Sequence, residues 1–302
     1  MDEEAMVAQV RRFNRLVTER VGALEDGYLA RDRPLGEARV LWEAGEGDSG
    51  CDVRTLRERL GLDSGYLSRL LRSLEADGLV TVGPSERDRR VRTARPTERG
   101  RSERALLDRR SDELARSFLD PLDGDRRHRL VAAMAEVERL LTAALVEVRP
   151  ADPAHPDARR CLGAYFAELD RRFDAGFDPH LSLPGLDAEM RPPAGRFLVA
   201  TLRARPVGCG ALKLHEHGPA ELKRMWVADD VRGLGVGRRL LAALEGEAAR
   251  AGARAVRLET NRTLTEAIGL YRRSGYREVE AFNDERYAHH WFEKDLGAPA
   301  NA

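Results

Sequence analysis

Residues 231–241 read VRGLGVGRRLL and set Gly233, Gly235 and Gly237 between Arg232 and the pair Arg238 and Arg239. Three glycines this close are costly in any regular helix or strand, so their permissive backbone must serve a purpose. The following run RRLLAALEGEAARAG predicts a helix. The N–H groups of a first helical turn face outward with partial positive charge, and glycines let an anion approach without a Cβ in the way. The chemistry indicated is recognition of a pyrophosphate. A second anion-seeking stretch lies far upstream: from Arg87 to Arg101 seven arginines stand against only Asp88 and Glu98. Such a stretch suits nucleic-acid phosphates.

The elements around the glycines narrow the cofactor. Residues 196–201 (RFLVAT) and 206–214 (PVGCGALKL) read as strands, and a hairpin through HEHGP returns as the strand AELKRMWV, 220–227. After the glycine helix come a strand (AVRLET), a helix (TLTEAIGLYRRSG) and two final strands (YREVEAF and HHWFEKDL), a mixed α/β order. A P-loop would end Gly-Lys-Ser/Thr, whereas this loop ends Gly237-Arg238-Arg239. A Rossmann fingerprint needs G-x-G-x-x-G after a parallel strand, and here the preceding strand belongs to an antiparallel hairpin.

The spacing R-x-x-G-x-G, the block MWVADDVRGLGVGRRLL, Asn261 after RLETN, and AIGLYRRSGY together resemble the GNAT family of N-acetyltransferases over about residues 158–296. The resemblance implies an acetyl-CoA site at Arg232, Gly233, Leu234, Gly235, Val236, Gly237 and Arg238, with Arg232 and Arg238 flanking the diphosphate and Arg239 a helix-surface charge. It further implies that a backbone N–H around Met225, Trp226 and Val227 polarises the thioester carbonyl. By the same resemblance Asn261 bonds the pantetheine arm and Tyr271 protonates the departing sulfur. For Tyr271 a buried helical stripe with Leu264 and Ile268 is the competing reading. Glu221 is the candidate base, with ion pairing to Lys223 as its competing reading. Thr263 and Glu266 are spaced as a capping box. Arg172 and Asp174, on an aromatic-rich helical segment, read either as contacts to a zwitterionic acceptor or as a charged helix face. Adjacent strand residues point to opposite faces, so His289 and His290 cannot share a metal ion. Tyr287, His289 and Trp291 share one face, for sheet packing or for lining a substrate site.

In the first half, DVRTLRERL (52–60) begins at a cap, Asp52, and stops at Gly61. A second helix follows Asp63, with Leu67, Leu70, Leu71 and Leu74 on one face and Ser64, Ser68, Arg69, Arg72 and Ser73 opposite. Strands near Leu79–Val82 and Val91–Ala94 then enclose a basic loop. This helix, turn, helix and hairpin, with YLSRLLRSLEADGLV, ERDRR and TERG, resembles the winged helix of the MarR family over about residues 30–101. The resemblance implies that Ser68 and Arg69 enter a DNA major groove, that Arg90 reaches the minor groove, and that Asp88 orients it; Ser64 and Arg72, on the same small polar and arginine-bearing face, suit base edges and phosphates, as a solvated helix face also would. It also implies a homodimer through the terminal helices. Residues 4–21 and 101–148 carry helical apolar positions in excess of what one small domain covers, including Leu130, Met134, Val137, Leu140, Leu141 and Leu145.

The expected architecture is a mainly α winged helix-turn-helix domain (1–148), a proline linker RPADPAHPD (149–157), and an α/β mixed-sheet acetyltransferase domain (158–297). At 302 residues, two domains is the ordinary expectation. Lys+Arg and Asp+Glu are both 51, so net charge points to no partner. Lysine is confined to Lys213, Lys223 and Lys294, and the arginine bias lowers the weight any single arginine carries. Cys51, Cys161 and Cys209 form no metal-type pair, which fits a reduced cytoplasm. No apolar run approaches the roughly 20 residues that span a bilayer, so no membrane partner is expected. The functional expectation is double-stranded DNA binding joined to acetyl-CoA-dependent N-acetylation of a small amine, without a metal. The alternative is a regulator whose second domain only senses acetyl-CoA or another metabolite.

Overall fold

The computed structural model describes residues 2–22, 29, 33–45, 50–85, 88–182 and 187–297. Arg87 of the basic loop lies outside the described residues. Contacts divide the chain into two units, 1–133 and 134–302.

The first unit opens with helix α1 (Glu3–Arg20), capped by Asp2, whose carboxylate accepts the Ala5 N–H. Helix α2 (Leu35–Ala44) precedes the short strand β1 (Cys51–Asp52). Helix α3 (Val53–Leu60) starts at Asp52, whose carboxylate accepts the Arg54 N–H, and ends at Gly61 in the left-handed region (φ 64°). Helix α4 (Ser64–Ala76) is capped by Asp63, and its leucines 67, 70, 71 and 74 are buried against Val40, Leu41 and Leu56. Strands β2 (Val80–Pro84) and β3 (Arg92–Pro96) form an antiparallel wing. The sequence does not announce β1, which adds to the far edge of β3. Helix α5 (Glu98–Leu119) is capped by Thr97. Helix α6 (Gly124–Ala144) follows, and the division between the units falls within it.

The second unit contains a seven-stranded sheet whose first strand corrects the expected domain boundary. Strand β4 (Val146–Pro150) pairs antiparallel with β5 (Gly195–Leu202) along its full length. Residues 146–148 therefore do not continue a helix, and Arg149 and Pro150 belong to a strand rather than to a linker. Pro150 fits because it sits in an edge strand, where a missing N–H faces no neighbour. Pro156 opens helix α7 (Pro156–Arg172) at the first-turn position, where proline costs nothing.

Strand β6 (Arg205–Lys213) follows β5, and β7 (Ala220–Val227) follows β6, all antiparallel. Helix α8 (Val236–Arg250) leads to β8 (Ala255–Thr260), helix α9 (Thr265–Arg273), β9 (Arg277–Val279) and β10 (His290–Asp295). The strand order is β4-β5-β6-β7-β8-β10-β9. Side chains of β5 alternate between two cores, as strand geometry requires. Leu198 and Ala200 join Leu240, Leu241 and Leu244 of α8, whereas Phe197 and Val199 join Ala158, Cys161 and Leu162 of α7. Helices thus cover both faces of the sheet.

Candidate functional site: an opening between two parallel strands

The one parallel contact in this sheet is brief. β7 pairs with β8 only at Ala220 with Val256 and Glu221 with Arg257. Beyond Glu221 the strands diverge, and a cavity of about 390 Å³ occupies the opening, lined in part by β7, β8 and α9. A bulge sharpens the divergence. Cys209 pairs with Trp226 and Ala211 with Lys223, so Arg224 and Met225 together oppose Gly210. Arg224 takes φ 53°, a left-handed conformation costing a non-glycine residue about 1–3 kcal/mol. Such strain persists only where the surroundings impose it, and Arg224 and Met225 both line the cavity. The region expected around Met225, Trp226 and Val227 is therefore a bulged strand that leaves its neighbour.

β7 leads into the glycine loop. Gly233 (φ 85°) and Gly235 (φ 77°) occupy left-handed conformations, and a Cβ on either would meet nothing within 4 Å, so access to the backbone is open. Gly235 caps α8 without any side chain bonding the first-turn N–H groups. A diphosphate fits this arrangement. Leu234 is half-buried, while Val236 is 1% exposed and anchors the helix start in the core. Gly237 has a different reason: a Cβ there would lie 3.2 Å from Leu270 of α9. Arg238 is exposed beside the loop. Arg239 is more than a surface charge, because it donates to the Ala143 carbonyl at the end of α6 (2.7 Å). Arg139 of α6 in turn donates to the Gly233 carbonyl (3.0 Å).

Arg232, expected to flank the diphosphate, is tied by its guanidinium to neighbouring acids. Its guanidinium is held by Glu168 (2.6 and 2.8 Å) and Asp229 (2.7 Å), and Nε donates to the Val227 carbonyl. Glu168, buried on α7, also accepts from Trp226 Nε1 (2.9 Å) and Arg172 (3.2 Å). Burial alone would raise the Glu168 pKa, but Arg232, Arg172 and Trp226 together hold it below the ordinary carboxylate value. Arg172 continues to Glu266 (2.7 Å) and the Thr263 carbonyl (2.6 Å) at the start of α9. One carboxylate thus joins the loop, the bulged strand and α9. Sequence reasoning missed Glu168; its only signal was an acid with an arginine four residues on, the commonest surface pattern.

The expected site residues separate into those facing the cavity and those spent on structure. Tyr271 is 4% exposed, lines the cavity, and packs its ring near Tyr276 (5.8 Å) and Phe292 (6.1 Å). It therefore belongs to a buried stripe and to the cavity wall at once. Burial, reinforced by Tyr165 and Glu259, pushes its phenol well above the ordinary value. Glu221 lines the same cavity, but its carboxylate is engaged by Arg257 (2.6 Å), His215 (3.2 Å) and Lys223 (3.4 Å). Burial would raise its pKa, yet Arg257, Lys223 and His215 bring it below the ordinary value. Asn261 lines the cavity with its amide committed: Nδ2 donates to the Tyr287 carbonyl (2.8 Å) and Oδ1 accepts the Thr263 N–H (3.0 Å).

One expectation needs correction, and two open alternatives are narrowed. The Thr263–Glu266 capping box does not form, because Glu266 turns to Arg172 and Thr263 Oγ1 is buried without a partner. Arg172 and Asp174 are not cavity contacts: the first bridges Glu168 and Glu266, and the second pairs with Arg262 (2.8 Å). Tyr287 lines the cavity, whereas His289 is an exposed residue whose backbone N–H bonds Thr260. Trp291 packs in the sheet and donates to Asn283 (2.9 Å). Among the described residues no group of three or more His, Cys, Asp or Glu is placed to hold a metal ion.

In the first unit, Ser64, Ser68, Arg69 and Arg72 are exposed on α4 opposite its buried leucines. Arg69 lies over the Tyr66 ring (5.5 Å), and Arg72 bonds the Ser68 carbonyl (3.2 Å). Arg90 is exposed at the wing tip. Asp88 acts on it through the backbone, accepting the Arg90 N–H (2.9 Å) and so shaping the turn.

Family models match both halves: residues 193–278 match an acetyltransferase (GNAT) domain, and residues 32–91 match the MarR family. The chain therefore joins a MarR family domain to a GNAT acetyltransferase domain. It is 45% identical over 88 residues to an IAA acetyltransferase of Azospirillum brasilense, a match spanning 29% of this chain and 58% of that relative's length. Similar solved structures include a GNAT family acetyltransferase of Staphylococcus aureus (18% identity, 50% of this chain and 99% of that one, TM-score 0.43). Another is a GNAT family acetyltransferase of Elizabethkingia anophelis with acetyl-CoA bound (16%, 50% and 98%, TM-score 0.36). CouR of Rhodococcus jostii bound to p-coumaroyl-CoA is also similar (22%, 41% and 87%, TM-score 0.35). No helix among the described residues is long and apolar enough to cross a membrane.

Proposed function

We propose that this chain is a dimeric DNA-binding regulator of MarR type that also transfers an acetyl group from acetyl-CoA to a small amine. The observation that carries the enzymatic reading is the cavity where β7 leaves β8, with a bulged strand on one side, buried Tyr271 on the other, and an uncapped helix start behind Gly233 and Gly235. Acetyl-CoA supplies an acyl carbon activated as a thioester.

The chain's part is to hold and to move protons. The first-turn N–H groups of α8 would bind the diphosphate, and the side of β7 that is unpaired with β8 beyond Glu221 would offer backbone hydrogen bonds to the pantetheine and a donor to the carbonyl oxygen. Tyr271 stays protonated throughout the working pH range because burial disfavours its anion, so it can give its proton to the sulfur. Glu221 is poorly suited to remove the amine proton, since three cationic or potentially cationic partners stabilise its ionised form. In this reading it is a structural carboxylate, and the proton leaves through water or another cavity carboxylate. Asn261 positions the Tyr287 backbone at the cavity rim.

Thiol release from acetyl-CoA over a panel of amines tests the assignment. Turnover that falls at least ten-fold in Tyr271→Phe with acetyl-CoA binding retained, and loss of acetyl-CoA binding in Gly235→Val, support it. Binding without turnover on any amine would instead make the second unit a metabolite sensor, the reading favoured by a Glu221 already committed to ion pairs.

A further inference from the structure

The walls of the cavity carry more information than the transfer reaction requires. On one side stand Phe173, Phe177 and Tyr287, in mutual ring contact: 5.7 Å for Phe173–Phe177, 5.6 Å for Phe173–Tyr287 and 4.9 Å for Phe177–Tyr287. Phe173 is buried, but Phe177 and Tyr287 are only half-buried and keep ring surface for a partner. Such a cluster, assembled from the end of α7 and the segment before β10, is an apolar wall beside the transfer site.

The charged lining is equally specific. Its carboxylates, Glu189, Glu221, Glu259 and Glu285, outnumber its cations, Lys213, Lys223 and Arg224. Lys213 is bonded to Glu189 (2.8 Å), and Lys223 bridges Glu221 and Glu259. Arg224 lies over the Phe166 ring (5.1 Å). Arg257 and His215 also reach Glu221, so these charges are largely matched internally. A ligand ammonium can still share a lining carboxylate, whereas a ligand carboxylate finds both lysines already bonded and would have to displace an internal partner or remain desolvated.

Resting on the acetyl-transfer reading above, we propose that the acceptor is a compact primary amine with an aromatic ring and no carboxylate. Its ring lies against Phe177 and Tyr287, and its ammonium faces the carboxylate side. In the transfer the amine nitrogen forms a bond to the acetyl carbon as the carbon–sulfur bond breaks. The ammonium first gives one proton to a cavity carboxylate and on to water; the sulfur takes the Tyr271 proton, and the second proton of the nitrogen returns through water to Tyr271, so that one proton is released overall. An extended polyamine satisfies the acids but gains nothing from the rings. An aromatic amino acid satisfies the rings but brings an unmatched carboxylate.

The experiment compares 2-phenylethylamine, L-phenylalanine, spermidine and a lysine-containing peptide in thiol release by the full-length protein. The expected result is a kcat/KM for 2-phenylethylamine about ten-fold or more above the others, as differences in pocket complementarity allow. Phe177→Ala should raise the KM for that amine several-fold with the KM for acetyl-CoA unchanged, and Phe177→Leu should recover part of the loss. Equal or better use of phenylalanine, spermidine or the peptide overturns the proposal, as does a Phe177→Ala variant with unaltered preference. If no amine is acetylated, the transfer reading has failed, and calorimetry of 2-phenylethylamine with the CoA-loaded protein decides the ligand class separately. Saturable binding weakened by Phe177→Ala retains it, and no binding overturns it.

Discussion

At the residue scale, Glu168 shows how a side chain can matter without touching the reacting atoms. It is 7% exposed and accepts from Arg232 before the glycine loop, Trp226 of the bulged strand and Arg172 of α7. Removing it takes an acceptor from all three donors and leaves Arg232 with Asp229 and the Val227 carbonyl. Glu168→Ala should therefore raise the KM for acetyl-CoA about ten-fold, close to 1.4 kcal/mol, with a smaller effect on kcat. Glu168→Gln, which keeps an acceptor oxygen for Trp226, should recover part of the loss; measured acetyl-CoA affinities equal to the parent in both variants would remove the positioning role. The glycines and Tyr271 were legible because their types and spacing carry chemistry directly. The side-chain direction of Arg232 was not, because the buried acid that redirects it lies on a helix 64 residues earlier in the chain. Glu221 shows the same limit: its strand position was evident, but Arg257 comes from the neighbouring strand, 36 residues later.

At the scale of elements, the site depends on where regular pairing stops. Alternation predicted β5, β6, β7 and β8, and turn residues separated them, so most of the sheet could be read before its geometry was known. The divergence of β7 from β8 could not, since it arises from a bulge at Arg224 that no residue preference marks. Strand β4 was hidden for another reason. Its residues VEVRP follow a helix without a break in apolar spacing and run into a proline-rich segment, so local cues favoured helix and then linker. The consequence is that α6 enters the sheet through β4 after only Leu145. Two reciprocal bonds fasten this junction to the glycine loop and the start of α8, Arg139 to Gly233 and Arg239 to Ala143. Arg139→Ala should weaken acetyl-CoA binding by a few-fold without lowering thermal stability appreciably, because Arg139 is otherwise solvent-facing and pairs only with Glu136. Calorimetric titration with acetyl-CoA checks this, and an unchanged affinity would mean that the loop holds its shape without α6.

At the scale of the whole molecule, equal numbers of acids and bases conceal a local division of labour. The wing concentrates arginine, which suits a polyanion, while the cavity of the second unit is lined by carboxylates paired internally with lysine and arginine. The terminal helices add a third feature. Val10, Phe13 and Leu16 of α1 are exposed, Leu16 at 58%, and Leu140 and Leu141 of α6 are exposed as well. Soluble chains rarely leave such stripes uncovered, and a second copy using the same stripes supplies a self-complementary cover. In the proposed dimer DNA binding would depend on association, because two α4 helices held together would read two half-sites. Phe13→Glu should shift the protein toward monomer in sedimentation and reduce DNA affinity at fixed protein concentration, while thiol release from acetyl-CoA persists. Arg90→Ala should leave the dimer intact and weaken DNA binding. It should also lower the slope of log affinity against log salt by about 0.9 for each phosphate no longer neutralised. An unchanged slope would place the wing away from the phosphates, and a Phe13→Glu variant that remains dimeric would move the subunit interface off α1.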